Sequence, residues 1–238
     1  MTNPHIELND NQKHFLENVN NDLKDAIQIA SSDFVAVNML LKKYYSNTKA
    51  YHKDTLPVEM VTRIENMMSH LQYMDIFSQR VDHLIRTHER MMASPGAGNF
   101  EESIFNLHVF QSMTIEQDLL TSISSIKEIL SDLQNYLNDD GKAALSVDGY
   151  FCRTSGIRRV LQNTITQLEQ SGGDKGRLPL PPLNENQIEI LNSLYTMESE
   201  RVVLRWFLNA MPRGTWEDLL HCYENMISQV ANDSPELF

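Results

Sequence analysis

The chain has 238 residues, and its 20 Lys plus Arg against 32 Asp plus Glu give a formal charge of −12 with histidine neutral. That length suits one or two domains with a full hydrophobic core, and a hydrophobic content of 41% excludes wholesale disorder. An acidic balance without a Lys/Arg cluster counts against nucleic acid and against an anionic membrane surface.

No stretch reaches the ~18 consecutive apolar residues of a membrane span. The segment Met1-Thr2-Asn3-Pro4-His5 lacks the basic and apolar regions of a signal peptide. The cysteines, Cys152 and Cys222, form no C-x-x-C, so neither a disulfide framework nor a cysteine-rich zinc site is expected. The expectation is a cytoplasmic protein with two reduced structural thiols. With only 9 Gly and 8 Pro, and no alternating β-branched runs, the chain reads as all-α. The architecture expected is a long antiparallel helical hairpin in a four-helix bundle, with a C-terminal helical region after a linker.

A first helix starts near Asn9 or Asp10, either able to cap it. Phe15, Val19, Leu23, Ala26, Ala30, Phe34, Val37, Leu41 and Tyr44 form its apolar stripe. The second helix opens at Thr55 and Pro57 and ends at Ser94-Pro95-Gly96-Ala97-Gly98. Its seam runs through Met60, Ile64, Met67, Leu71 and Met74 to Val81, Leu84 or Ile85, and Met91 or Met92. Adding Tyr73 and Phe77 broadens this face beyond what one partner helix covers.

The third helix, from Asn99 to Asn138, should return antiparallel to the second after a short turn. Together these two occupy about 56–138, within a bundle assigned to 1–170. A shorter helix runs from Ser155 or Gly156 to Gln170. Residues 171–183, rich in Gly and Pro, read as a hinge-like linker. A C-terminal helical pair is assigned to 184–231. Its first member runs unbroken from Asn184 to Pro212, with Ile188, Leu191, Glu198, Val202 and Trp206 on one side. The tail, 232–238, is expected to be mobile.

Motifs for nucleotides, for a serine nucleophile elbow and for H-E-x-x-H zinc are missing from the sequence. No metal site is expected, because none of the eight histidines follows a Glu by three residues. Asp218-x-x-His221 is the nearest approach. His108 lies beside the core stripe and reads as a buried structural histidine. No histidine has the H-x-x-K-G context of a phosphotransfer domain.

On the second helix, Gln72, Asp75, Gln79, Asp82 and Arg86 step by three or four residues and line one polar stripe. By this reading the stripe lies beside the Met67/Leu71/Met74 seam. An Asp and a Gln are thus presented one turn apart on a stiff rod. Taken on spacing alone, such a stripe is a solvated flank or a partner-facing surface.

The run Asp75-Ile76-Phe77-Ser78-Gln79-Arg80, with Gln72 upstream, resembles the D-x-x-x-Q signature of the CheZ chemotaxis phosphatases. That family removes the phosphoryl group from the response regulator CheY. The resemblance implies a homodimer built on long helical hairpins, a mobile linker and a C-terminal peptide that docks on the regulator. It implies that Gln79 orients the attacking water and that Asp75 pairs with the receiver's lysine. Gln72, Asp82 and Arg86 would then border the docking surface. No cofactor of the chain's own is implied, since Mg²⁺ is supplied by the partner receiver domain. Where the family carries a Thr-Gly pair this chain has Phe77-Ser78, and the bulky Phe stands as an obstruction to close docking.

The last helix presents Leu219, Leu220, Tyr223 and Ile227, either to its own core or to a partner groove. The terminal Leu237-Phe238 resembles the family's apolar end. The segment Leu194-Tyr195-Thr196-Met197-Glu198-Ser199-Glu200-Arg201 resembles one that recurs in bacterial chemotaxis-associated proteins. The sequence expectation is therefore a CheZ-like phosphatase acting on a phosphorylated receiver domain in bacterial chemotaxis or related two-component signalling. A non-catalytic helical adaptor that grips a signalling partner is the alternative.

Overall fold

The computed structural model describes residues 9–51, 58–93, 101–138, 154–171, 183, 185–210 and 216–233. The elements among these residues are helices: α1 (Asp10–Tyr51), α2 (Val58–Ala93), α3 (Glu101–Asn138), α4 (Thr154–Ser171), α5 (Glu185–Leu194), α6 (Glu198–Ala210) and α7 (Trp216–Asp233). The all-α helical bundle expected from the sequence is what is observed.

The start of α1 is set by a reciprocal cap. The Gln12 N–H donates to Asn9 Oδ1 at 2.9 Å, and the Asn9 N–H donates to Gln12 Oε1 at 2.9 Å. Two backbone donors that the helix cannot satisfy internally are thereby paired. The stripe that follows is buried as its spacing predicts: Val19, Leu23, Ala26, Ala30, Phe34 and Val37, joined by Leu16. Phe15 stays half-buried.

The packing divides into two compact units. The first comprises Met1–Lys24, Gln79–Ile115 and Val160–Phe238; the second comprises Asp25–Ser78 and Glu116–Arg159. This spatial division does not coincide with the chain-order division into bundle, linker and C-terminal pair. Helices α5, α6 and α7 belong to the first unit, together with the adjoining halves of α2 and α3. Of the linker, only Ser171 and Leu183 fall among the described residues, and 234–238 fall outside them.

In the first unit α2 and α3 run antiparallel. His88 meets His108, and eight residues back along α2 Arg80 meets Thr114, six residues onward along α3. α1 joins them through Asn20 to His88 and through Phe15, edge-on to Phe105 with ring centroids 6.0 Å apart. α4 is tied to α1 where Gln167 Nε2 donates to Asp22 Oδ2 at 3.3 Å. Phe110 of α3 gathers the C-terminal helices, with Trp206 of α6 at 5.3 Å and Tyr223 of α7 at 6.3 Å, the latter edge-on.

The second unit packs Met67, Tyr73 and Phe77 of α2 into a core with Phe34 and Val37 of α1, Leu119, Ile123, Ile126 and Leu130 of α3, and Ile157 of α4. Arg63 pairs with Asp132, and Arg158 Nε donates to Glu116 Oε1 at 3.1 Å. Leu71 and Met74, assigned to the seam, are only half-buried. Tyr73 and Phe77 are buried where Leu71 and Met74 are not, and the aromatic pair offers more apolar surface for burial.

The helix expected to run unbroken from Asn184 is interrupted. α5 ends at Leu194, and α6 begins at Glu198 after a break at Tyr195, Thr196 and Met197. The Tyr195 N–H still donates to the Leu191 carbonyl at 2.8 Å, closing α5. The Arg201 N–H donates to the Met197 carbonyl at 3.1 Å, opening α6. Glu200, three residues after Met197, turns its carboxylate back to accept the Met197 N–H at 3.3 Å. That is the acidic half of a capping box, and it stabilises a new helix start where the sequence pattern shows no Gly or Pro.

Candidate functional site

On α2, the expected polar stripe is a solvent-facing row. Gln72 and Asp75 are exposed on the α2 segment of the second unit. Gln79 and Arg86 are exposed, and Asp82 half-buried, on the segment of the first unit. Asp82 is engaged with Arg86, Oδ2 to Nε 2.6 Å.

The obstruction expected from Phe77 is absent. Its side chain is 0% exposed, in the core of the second unit. Two residues separate it from Gln79, which at 100° per residue places it about 160° round the helix from the polar row. The row therefore lies nearly opposite the deep apolar face of α2, and not beside it as the Met67/Leu71/Met74 seam suggested.

Beneath the row, the first unit holds polar side chains that the sequence reading did not single out. Arg80, next to Gln79, is 1% exposed and donates from Nη2 to Thr114 Oγ1 at 2.6 Å. The Thr114 hydroxyl in turn donates to the Gln111 carbonyl at 2.9 Å. His83, one turn after Gln79, faces Glu200, with Nδ1 at 2.8 and 2.9 Å from the two carboxylate oxygens. A carboxylate only accepts, so Nδ1 carries the proton and donates. Gln111 Nε2 donates to the Glu200 carbonyl at 3.3 Å. Tyr195 is fully buried, and burial together with the Glu200 charge pushes its phenol well above the usual range, while Arg80 pulls the other way. It is therefore a neutral phenol at any ordinary pH.

The segment Leu194–Arg201 thus acquires a physical role. It breaks the helix, and the break brings Tyr195 and Glu200 against the buried side of α2 behind Gln79 and His83. A continuous helix would have carried Glu198 inward. After the break Glu200 is the buried acid, and Glu198 pairs with Arg205 nearer the surface. The signal in the sequence was the segment itself; nothing in its spacing indicated a break.

A second buried chain of polar groups lies in the same unit. His88 Nδ1 is 2.7 Å from Asn20 Oδ1, and His88 Nε2 is 2.8 Å from His108 Nδ1. With Asn20 Oδ1 accepting, His88 carries its proton on Nδ1, and His108 Nδ1–H donates to the bare His88 Nε2. Both rings are then neutral, and His108 Nε2 is buried without a hydrogen-bond partner. Burial lowers the pKa of His88 from 6.5 to about 3. Burial, and secondarily the neighbouring His88, lowers that of His108 well below 6.5. The buried structural reading of His108 is what is observed.

Of the C-terminal residues assigned to partner binding, Leu219 and Tyr223 are buried in the chain's own core, and Leu220 is half-buried. Packing on its own core is therefore what α7 does with these two side chains. The Ile227 side chain, Leu237 and Phe238 lie outside the described residues. Asp218 and His221 are exposed, and His221 lies 3.8 Å from Glu224. Among the described residues no group of three His, Cys, Asp or Glu is placed to hold a metal ion, and no helix is long and apolar enough to cross a membrane. Comparison with family models, with curated proteins and with solved structures gives no match.

Proposed function

We propose that this chain accelerates hydrolysis of the aspartyl phosphate of a CheY-type receiver domain, with Gln79 and Asp75 of α2 entering the receiver's active site. The observation that supports this is the exposure of both residues, four apart on one helix, while the bulky Phe77 between them is buried. A helix face of this kind offers a partner short polar groups with no apolar obstacle.

The chemistry asks little of the helper. An aspartyl phosphate is a reactive acyl phosphate, and the receiver brings the Mg²⁺ and lysine that neutralise the phosphoryl oxygens. What remains is to hold water in line with phosphorus and to exclude bulk solvent. The Gln79 amide both donates and accepts, so it can hold a water against the phosphoryl group without titrating. Asp75, accepting only, would pair with the receiver's lysine and fix the register. Gln72, Asp82 and Arg86 would border the contact.

The test is dephosphorylation of a Mg²⁺-loaded, phosphorylated receiver with wild type and Gln79→Ala side by side. Acceleration by wild type, lost in Gln79→Ala while binding persists, is the expected result. A chain that binds the receiver without changing its dephosphorylation rate is instead an adaptor. Exposed Val35 and Met39 on α1, and Val58, Val61 and Met68 on α2, favour that second reading, because they give the second unit apolar surface for a partner. Absence of binding to any receiver ends the phosphatase reading.

A further inference from the structure

We propose that His83, held by Glu200, is the general base for the water that Gln79 positions; this rests on the phosphatase reading above. Gln79 and His83 stand one helical turn apart on α2 in the first unit, so their side chains are neighbours on the same face. Gln79 is exposed, and His83 lies at the edge of the row with 12% of its side chain open to solvent. Its Nδ1 is taken by both oxygens of a carboxylate that is itself only 3% exposed. With Nδ1 donating to that carboxylate, Nε2 is the ring's basic atom. A carboxylate that orients an imidazole and stabilises the imidazolium is the arrangement by which histidine serves as a base. Gln79 cannot take a proton, and Asp82 is already engaged with Arg86.

The water oxygen forms a bond to phosphorus as the bond between phosphorus and the aspartyl oxygen breaks. The aspartate leaves as a carboxylate with the bonding pair, and the water proton passes to His83 Nε2. The products are inorganic phosphate, the free receiver aspartate and an imidazolium paired with Glu200, which returns its proton to solvent. Glu200 is a positioning residue, acting through His83. Glu200 is in direct contact with the ring. Around Glu200 stand Gln111, which donates to its carbonyl, and Tyr195, a neutral phenol at the α5–α6 break. On α2 itself the charged groups nearest in sequence are Arg80, which donates to Thr114, and Asp82, which pairs with Arg86.

The experiment follows single-turnover dephosphorylation of the Mg²⁺-loaded, phosphorylated receiver by the full chain across pH, each rate divided by the receiver's own at that pH. With wild type the ratio should rise with pH to a plateau. The ¹⁵N shifts of the His83 ring should change over the same range with the same midpoint. His83→Gln, whose amide can still donate to Glu200 but cannot titrate, should lack the rise and lie roughly 10²-fold below the plateau with receiver binding retained. A purely structural role for the pair would leave the pH profile of this variant parallel to wild type. A pH-flat wild-type ratio, or a His83→Gln variant as fast as wild type, overturns the base while acceleration lost in Gln79→Ala still upholds the phosphatase. No acceleration by wild type at any pH overturns both. Should His83→Gln fail to fold by circular dichroism, agreement or disagreement between the wild-type rate profile and the His83 ring titration decides the matter.

Discussion

Phe77 and Gln79 are two residues apart and do opposite work. Phe77 fills the core of the second unit, so Phe77→Ala should cost about 3–5 kcal/mol, read from the urea midpoint. Gln79 is exposed, so Gln79→Ala should stay within about 0.5 kcal/mol of wild type while losing phosphatase activity. An unstable Gln79→Ala would show that the side chain serves the fold instead of a partner. Glu200 combines two duties: it accepts from His83 and from the Met197 N–H. Glu200→Ala would leave the half-buried imidazole N–H and the Met197 N–H without their acceptor and should cost about 1–3 kcal/mol in a thermal or urea melt. The polar row was legible in the sequence because exposure on a helix follows its period of 3.6. The partners of His83 and Arg80 were not, because no spacing rule links residues 83 and 200, or 80 and 114.

Helix termini follow local rules, and the start of α1 at Asn9 was readable, whereas the turns expected at Thr55 to Pro57 and Ser94 to Gly98 lie outside the described residues. The Asn9–Gln12 box sets that start; Asn9→Ala should cost about 1 kcal/mol. Hydrogen exchange should report it as faster exchange confined to the first turn of α1, with protection further along unchanged. The break between α5 and α6 is different. Leu191, Val202 and Trp206 keep a helical period across it, so the sequence reads as one rod. What interrupts the rod is the burial of Glu200 against His83, together with its bond to the Met197 N–H. A tertiary hydrogen bond here prevails over a local preference for continuity.

Among the described residues the buried histidines, His88 and His108, lie in the first unit. His88 has a folded-state pKa of about 3 against 6.5 when unfolded, and that of His108 is also lowered. The unfolded chain therefore binds more protons below pH 6.5. Stability from these groups is fully present above that pH and is lost as pH falls from about 6.5 towards 3. The loss is about 1.4 kcal/mol per pH unit for each histidine. Residue-resolved hydrogen exchange between pH 7 and 5 should show protection falling in the first unit, and His108→Leu should reduce that slope by about half. Equal slopes in wild type and His108→Leu would show that its ring is already charged in the folded protein.

From the sequence alone came the helical class, the start of α1, the antiparallel course of α2 and α3 and the polar row with Asp75 and Gln79. All of these depend on periodicity and on capping chemistry, which act over a few residues. Tertiary structure alone decided that Leu194–Arg201 folds as a break behind α2, and that Glu200 meets His83 while His88 meets His108. Those outcomes depend on which distant side chains share a low-dielectric interior. There a charge or a ring nitrogen must find its partner wherever in the chain it lies.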